Sequence, residues 1–388
     1  MPKDLTLGIV PAPGITATLS EKVKDDLLDT FESIEDYHTN WKIEIIVDQI
    51  TGAAENASEI MDQAIHIKSH NNWDYVISLT DLPIFNLKYI VLADVNKEQK
   101  AAQVSLPAYG ALPKVSNVKN TFIQILQELH SEEKDDIGMG KHHKSVSFLS
   151  SIKRAFTFTS IKRVETDQHA SILYLIQPKW NGTLKLIAGM TVANSPWSIM
   201  PSFKKVIGLA FATGSYMLIF NTLWQLSAVY EFSRFLIVML TAMTAMVTWI
   251  IFAHNLWEKK QNYQSQRLRL MYNATTITTL GVSVLMFYIA MFILFAIAVM
   301  IFVPAETFES VLHHDIDIVD YAKLAWLVTS AATVAGAIGA GLENEESVRR
   351  ITYGYRQYVR SKEIQRLEEE KTKEEKGKNP TDAYDYDP

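Results

Sequence analysis

Four polar residues in the first 130 positions lie at or near the ends of apolar runs that are typical of β-strands. They are Asp48, Thr80, Asp81 and Asp94. In open α/β sheets, ligands bind at the carboxyl ends of strands and at helix amino termini, and carboxylates with a hydroxyl there would suit a small ligand or a cation. The competing interpretation is that these residues only cap strands and set turns. We therefore treat them as a predicted ligand site whose ligand the sequence does not identify.

The patterns of the common catalytic centres are missing from the sequence. The chain contains no cysteine, which excludes disulfides, thiolate metal sites and cysteine nucleophiles. We find no Ser-His-Asp order, no glycine-rich nucleotide loop after a strand and no histidine pair at zinc-ligand spacing. His142 and His143 are adjacent in a charged stretch without further ligands at fixed spacing. The sequence therefore predicts neither a cofactor nor a metal, and it favours a non-enzymatic protein without excluding an enzyme.

Composition separates the chain into two unlike halves. The 388 residues are 48% hydrophobic and carry a formal net charge of −6. Up to about residue 205 the sequence is typical of a water-soluble domain, whereas residues 206–341 are dominated by long apolar runs. A mildly acidic chain gives no reason to expect a clustered basic face, so we expect no nucleic-acid partner.

Residues 1–131 are predicted to form a cytoplasmic α/β domain. Alternating or short continuous apolar runs indicate strands, and apolar positions with a period near 3.6 indicate helices. Helices that alternate with strands favour a mostly parallel sheet, and residues 96–98 indicate an antiparallel hairpin at one edge. The predicted strands are 5–10, 41–47, 75–79, 89–95 and 103–106, and the predicted helices are 19–31, 54–67 and 118–129.

Two further segments are predicted between this domain and the apolar half. Residues 132–165 have the composition of a basic linker, which would be attracted to the anionic inner leaflet of the lipid bilayer. Residues 166–200 are predicted to hold a membrane-proximal β-hairpin, since Asn181-Gly182 is a strong turn signal between two apolar runs. An interfacial segment around Trp197 is expected to follow the hairpin.

Residues 201–342 are predicted to form a bundle of four transmembrane helices. Crossing about 30 Å of hydrocarbon at about 1.5 Å per residue takes about 20 apolar residues. Four runs reach that length without a central charged residue, and such a succession is rare in soluble cores. The runs are 206–226, 235–254, 274–303 and 322–341, of which the third is long enough to tilt or to begin as an interfacial turn.

The distribution of Lys and Arg predicts that both termini are cytoplasmic. Basic residues precede the first run, fill the loop between the second and third, and follow the fourth, whereas the opposite loops carry few. The short apolar stretch 5–10 is closed by Pro11 and Pro13 and is unlike a secretory signal, which agrees with this orientation. We therefore expect a multi-pass protein of the cell membrane. Residues 343–388 are expected to form a charged cytoplasmic helix and a disordered tail.

Small residues in the fourth apolar run recur at helical spacing. Ala332, Ala335, Gly336, Gly339 and Ala340 form a small-xxx-small face, which favours close helix packing. These glycines end a membrane run rather than follow a strand, so a nucleotide-binding loop is the weaker interpretation. The same face would also suit contact with a second copy of the chain, and a homo-oligomer through this helix is one hypothesis.

Six short motifs are specific as a set. They are TDLP at 80–83, VSLPA at 104–108, AGM at 188–190, NSPW at 194–197, AHNLWE at 253–258 and the segment 325–343. On these motifs the chain resembles a family of uncharacterised membrane proteins from Gram-positive bacteria, with a soluble α/β domain before four transmembrane helices. The resemblance covers nearly the whole length and implies no established activity.

A second resemblance concerns the soluble domain alone. Thr80-Asp81 after a strand, then Ala93-Asp94, then residues 104–106 and a helix follow an order similar to that of archaemetzincin-type metalloproteases. Those proteases carry HExxH on that helix, with the histidines on zinc. Here residues 122–130 read FIQILQELH, so the histidine pair is missing. The resemblance therefore implies a relative without zinc and without hydrolytic activity.

Three hypotheses for function result from these observations. The favoured one is a membrane protein whose cytoplasmic domain binds a ligand or a partner and is coupled to the helix bundle. The second is an oligomeric transporter or lipid-handling protein, although the charged groups typical of ion-coupled transport are missing from the centres of the apolar runs. The third is a membrane-anchored enzyme related to a degenerate metalloprotease fold.

Overall fold

The chain forms two compact units, one made by the residues up to Ala193 and one made by Asn194–Tyr355. The computed structural model describes residues 3–33, 39–52, 57–86, 89–130, 160–166, 171–177, 179–258 and 266–341, with isolated positions between 348 and 366. The predicted linker up to residue 159, including His142 and His143, lies outside the described residues, as does most of the predicted charged tail.

The first unit is built on an eight-stranded mixed sheet. Its strands are β1 (Lys3–Pro11), β2 (Thr39–Ile45), β3 (Tyr75–Thr80), β4 (Ile84–Asn86), β5 (Tyr89–Asn96), β6 (Ala101–Ser105), β7 (Ser160–Thr166) and β8 (Ser171–Gln177). They are ordered β2-β1-β3-β6-β5-β8-β7, and β4 pairs with β5 beside this path. The neighbours β2–β1, β1–β3 and β3–β6 are parallel. The neighbours β6–β5, β5–β8, β8–β7 and β5–β4 are antiparallel. The antiparallel part is larger than predicted, because β7 and β8 extend the sheet beyond β5.

Helices cover both faces of the central strands, which explains why those strands are apolar throughout. The helices are α1 (Ile15–Ser33), α2 (Ala57–His70), α3 (Val115–His130) and α4 (Lys179–Ala193). On one face, Met61 and Ala64 of α2 pack with Val10 and Val76. Tyr75 points to the other face, since successive strand residues alternate, and its hydroxyl lies 2.9 Å from Nδ1 of His130 in α3.

Residues 160–166 are a strand, so the predicted linker, residues 132–165, is wrong from residue 160 onward. This strand, β7, pairs with β8 in antiparallel register. Its basic residue Arg163 forms an ion pair with Glu128 of α3, at 2.8 Å between Nε and Oε1. The basic composition of this segment therefore stabilises the sheet and does not mark a linker.

The predicted hairpin at Asn181-Gly182 is also wrong, because Lys179–Ala193 is the helix α4. A Cβ atom on Gly182 would lie 3.1 Å from Ile176 Cγ2 of β8, and one on Gly189 would collide with the backbone of Pro107. Both glycines thus allow a helix to approach its neighbours closely, and neither forms a turn. Leu186 is fully buried four residues after Gly182, which is helical rather than strand spacing.

The second unit consists of helices that are mostly long and apolar. They are α5 (Lys204–Met217), α6 (Asn221–Val229), α7 (Phe232–Ala253), α8 (Gln266–Phe302), α9 (Ala305–Leu312) and α10 (Ile318–Ala340). Among the described residues, α7, α8 and α10 are long and apolar enough to cross a membrane, and a fourth crossing exists if α5 and α6 count as one bent span. The third predicted span is one continuous helix of 37 residues.

The first predicted span is not one straight helix, since α5 and α6 meet at an angle of 91°. Phe220 has an extended backbone between them, with φ −90° and ψ 110°. The carbonyl of Leu218 accepts a hydrogen bond from the Trp224 indole nitrogen at 2.9 Å. This bond satisfies a backbone carbonyl at the break, which an apolar composition alone does not predict.

Candidate functional site

Asp48 and Thr80 belong to one hydrogen-bonded cluster just beyond β2 and at the end of β3. The Asp48 carboxylate accepts hydrogen bonds from the backbone nitrogen of Thr51 at 2.8 Å and from the Gln63 amide at 3.1 Å. The Thr80 hydroxyl donates to the Thr51 carbonyl at 2.6 Å. Thr51, which the sequence pattern did not single out, thus links two of the predicted site residues. These hydrogen bonds explain Asp48 and Thr80 as residues that stabilise a turn.

The two remaining predicted residues have different surroundings. Asp81 follows Thr80 directly and is 1% exposed. Asp94 lies inside β5 rather than at a strand end. The structure therefore brings Asp48 and Thr80 together through hydrogen bonds and leaves Asp94 outside that cluster.

Asp94 belongs to a row of polar side chains that crosses three strands. In the sheet register, Ser78 of β3 lies opposite Gln103 of β6, and Gln103 lies opposite Asp94 of β5. Residues that lie opposite each other point to the same face of a sheet, so these side chains are neighbours. We call Ser78, Gln103 and Asp94 the polar row. Gln103 is 1% exposed.

Two oxygens of the polar row lack a hydrogen-bond donor within the described residues. Gln103 Nε2 donates to Asp94 Oδ2 at 3.1 Å, but the buried atoms Asp94 Oδ1 and Gln103 Oε1 accept no hydrogen bond. An unsatisfied buried acceptor costs about 1–3 kcal/mol, and native proteins contain few of them. A bound group that supplies two N–H donors would satisfy both oxygens.

Burial also affects the charge of Asp94. Desolvation raises the pKa of Asp94 above its ordinary value of 3.8, and the hydrogen bond from Gln103 lowers it by a smaller amount. The pKa rises because a carboxylate that is buried without a cation loses its hydration. A cationic donor beside Asp94 would favour the ionised carboxylate and reverse this effect. The polar row therefore has the chemistry to bind a protonated nitrogen group.

A second polar pair lies further along the same strands. Thr80 lies opposite Ser105, two positions after Ser78 and Gln103, and thus about 7 Å from the polar row on the same face. The Ser105 hydroxyl donates to the Leu82 carbonyl at 2.7 Å, so this pair already has partners. Gln103 and Ser105 are polar residues at alternating positions of an apolar run, which is the sequence signal that could have identified this face.

The opposite face of the sheet carries a charged network that connects α3 with β7 and β8. Arg163 binds both oxygens of the Glu128 carboxylate, at 2.8 and 3.0 Å, and the Tyr174 hydroxyl donates to the same carboxylate at 3.1 Å. The hydrogen bonds to Glu128 raise the pKa of Arg163, so its guanidinium stays charged. The Gln124 amide nitrogen donates a hydrogen bond to the Tyr174 hydroxyl. The buried amide oxygen of Gln124 accepts no hydrogen bond from the described part of the chain. Because the charges are paired, this network stabilises the fold.

Polar side chains in the second unit hold the NSPW segment against α8. Asn194 donates to the Thr279 hydroxyl at 3.1 Å, and the Ser283 hydroxyl donates to the Pro196 carbonyl at 3.0 Å. Near the end of α7, the ring nitrogen Nε2 of His254 lies 2.9 Å from the Ala340 carbonyl at the end of α10. These bonds are internal to the unit and join helices.

The small-residue face of α10 packs against α5 of the same chain. A Cβ atom on Gly336 would lie 3.2 Å from the Ala210 side chain, and one on Gly339 would lie 2.9 Å from Leu209. A homo-oligomer through this face would therefore require α5 to move away. The remaining members of the predicted face are Ala332 and Ala340, which are buried, and Ala335, which is half-buried.

Comparisons with models of protein families, with curated proteins and with solved structures give no match to this chain. The two resemblances drawn from sequence motifs thus receive no support from them. In the parts of the chain that the structure describes, no three His, Asp or Glu side chains are grouped so that they could hold a metal ion. The polar row is therefore the candidate site on the basis of its geometry alone.

Proposed function

We propose that this chain is a four-span protein of the cell membrane whose cytoplasmic α/β unit binds a small cationic ligand at the polar row. The protein acts by binding rather than by catalysis. The observation that carries the proposal is the pair of buried acceptors, Asp94 Oδ1 and Gln103 Oε1, that have no donor among the described residues.

The chemistry of these two acceptors selects the class of ligand. An anion would meet the Asp94 carboxylate with like charge, and a divalent cation such as Ca²⁺ requires about six or more oxygen ligands. A planar amidinium or guanidinium group offers parallel N–H donors together with a positive charge, which suits a carboxylate oxygen beside an amide oxygen. The positive charge would also compensate a carboxylate whose burial otherwise raises its pKa.

The membrane part of the proposal is supported by the composition of the second unit. Its helices α7, α8 and α10 pass the length and hydropathy requirements for a span, and the bent pair α5–α6 passes them jointly. Basic residues collect before α5, between α7 and α8 and after α10, which favours a cytoplasmic location for these segments and for the α/β unit.

Ligand binding is tested on the full-length chain, purified in detergent, with methylguanidinium and acetamidinium as probes. We expect both probes to raise the melting temperature in a saturable way, since a ligand that binds only the folded state stabilises it. Isothermal titration calorimetry should show at least tenfold weaker binding to Asp94→Asn and to Gln103→Leu. Asp62→Asn, at an exposed position of α2, is the matched control and should bind as the wild type does.

Two results would refute this proposal. One is a melting temperature that responds to Mg²⁺ or to inorganic phosphate but not to the amidinium probes. The other is equal affinity of the probes for the wild type and for Asp94→Asn, since a site that does not involve the carboxylate would then hold them.

A further inference from the structure

A long apolar groove lies between α7 and α8. Its volume is about 790 Å³, and its walls are apolar side chains apart from two threonines and one asparagine. On α7 the groove extends from Leu240 to Phe252, and on α8 it is bounded by Ile277 and Gly281. Leu240 and Phe252 are 57% and 75% exposed, so the groove is on the outer side of helices that are apolar enough to cross a membrane.

The length of the groove fits a single hydrocarbon chain. The stretch from Leu240 to Phe252 measures about 18 Å along the helix axis, which is close to the hydrocarbon thickness of one leaflet, about 15 Å.

Gly281 helps to create this space. A Cβ atom on Gly281 would have no heavy atom within 4 Å outside its own helix and its chain neighbours. Glycine in a helix interior costs about 1 kcal/mol relative to alanine, and here the structure shows no close approach of another element that would require it. The missing side chain leaves room in the wall of the groove.

One end of the groove lies toward the first turn of α8. Asn255 and Trp257 line this end. Residues 267, 270, 274, 277 and 281 recur at intervals of three and four, so Arg267 lies on the groove side of α8 about 15 Å before Ile277. Arg267 and Arg269 in the first turn of α8 give this end a positive charge.

From these features we infer that the groove binds one acyl chain of an anionic phospholipid of the cytoplasmic leaflet, with the lipid phosphate at the basic end. The inference rests on the membrane location and orientation proposed above and is independent of the polar row. Apolar contact holds the acyl chain, and the two arginines in the first turn of α8 select the charge of the headgroup.

The test fills the groove without disturbing the helix contacts. Gly281→Phe places a ring in the open space, and Gly208→Phe is its matched control, because a Cβ on Gly208 of α5 also meets nothing within 4 Å but lies outside the groove. The full-length proteins are extracted from membranes, and phospholipid retention is measured by native mass spectrometry with added phosphatidylglycerol or phosphatidylcholine. We expect the wild type and Gly208→Phe to retain one phosphatidylglycerol, Gly281→Phe to retain at least tenfold less, and Arg267→Gln to lose the preference for phosphatidylglycerol.

Thr248→Phe fills the same groove from α7 and serves if Gly281→Phe does not fold. Equal lipid retention by both groove-filling variants and the wild type would refute the inference. A change from dimer to monomer in Gly281→Phe, without a change in lipid retention, would identify the groove as an interface between copies and would refute it as well. Absence of the wild type from carbonate-washed membranes would instead refute the proposed membrane location, so the two failures are distinguishable.

Discussion

The partly buried carboxylate of Asp94 makes a contribution to the stability of the first unit that depends on pH. The folded-state pKa of Asp94 is raised above its ordinary value of 3.8, so the folded protein binds this proton more tightly than the unfolded chain does. The contribution of Asp94 to stability is therefore most favourable at low pH, decreases as the pH rises from about 3.8 to the raised pKa, and stays at the lower level above it.

Replacing the carboxylate with an amide should remove this dependence. In Asp94→Asn, the new amide can donate to Gln103 Oε1 while its oxygen accepts from Gln103 Nε2. We expect the variant to be more stable than the wild type by about 1–3 kcal/mol at pH 7, with a difference that shrinks as the pH is lowered toward 4. Chemical denaturation of the full-length protein at several pH values measures this, with exposed Asp62→Asn as the control. A difference that is constant with pH would contradict the assignment.

At the residue scale, the sequence predicted part of the polar row. Asp94 was identified as polar at the edge of an apolar run, but Ser78 and Gln103 were not, although each lies in a strand beside it. The reason is that cross-strand neighbours are set by sheet register, and register is not visible in a single sequence. Asp48 and Thr80 were identified from the same pattern, and their hydrogen bonds with Thr51 explain them without a ligand.

At the scale of elements, the predicted helices and strands of the first 130 residues have small errors at their ends, and the short strand β4 was missed. The helix α4 was missed because Asn181-Gly182 is a strong local turn signal, and tertiary contacts override it. The glycine there eases the close approach of α4 to β8 and β5, which brings Ile176 and Ile90 within 3.1 and 3.4 Å of a Cβ on Gly182.

The two glycines of α4 give a matched test of this packing. Gly189→Ala would place a Cβ against the rigid backbone of Pro107, whereas Gly182→Ala would meet side-chain atoms only, Ile176 Cγ2 at 3.1 Å and Ile90 Cδ1 at 3.4 Å. We expect Gly189→Ala to destabilise the first unit by about 1–3 kcal/mol, despite the higher helix propensity of alanine, and Gly182→Ala to change its stability by less than about 1 kcal/mol. Thermal unfolding followed by circular dichroism compares them. Stabilisation by Gly189→Ala would show that α4 does not contact Pro107 as described.

At the scale of the whole molecule, the two-part architecture was predictable because it depends on composition and length, which a single sequence carries directly. The bend between α5 and α6 was not predictable, since a run of apolar residues from 206 to 226 satisfies the length rule whether it is straight or bent. This bend decides the topology. If the pair crosses the membrane, the chain has four spans and both ends are on one side, whereas a re-entrant pair leaves three spans and opposite ends.

The most direct test of the account is the sidedness of single cysteines, which the cysteine-free chain makes unambiguous. Glu98→Cys in the α/β unit, Glu231→Cys before α7, Asp315→Cys before α10 and Lys376→Cys in the tail are each treated with a membrane-impermeant maleimide in intact cells. We predict labelling of Glu231→Cys and Asp315→Cys only, with Glu98→Cys and Lys376→Cys labelled after permeabilisation. Labelling of Glu98→Cys and Lys376→Cys from opposite sides of the membrane would contradict the four-span account.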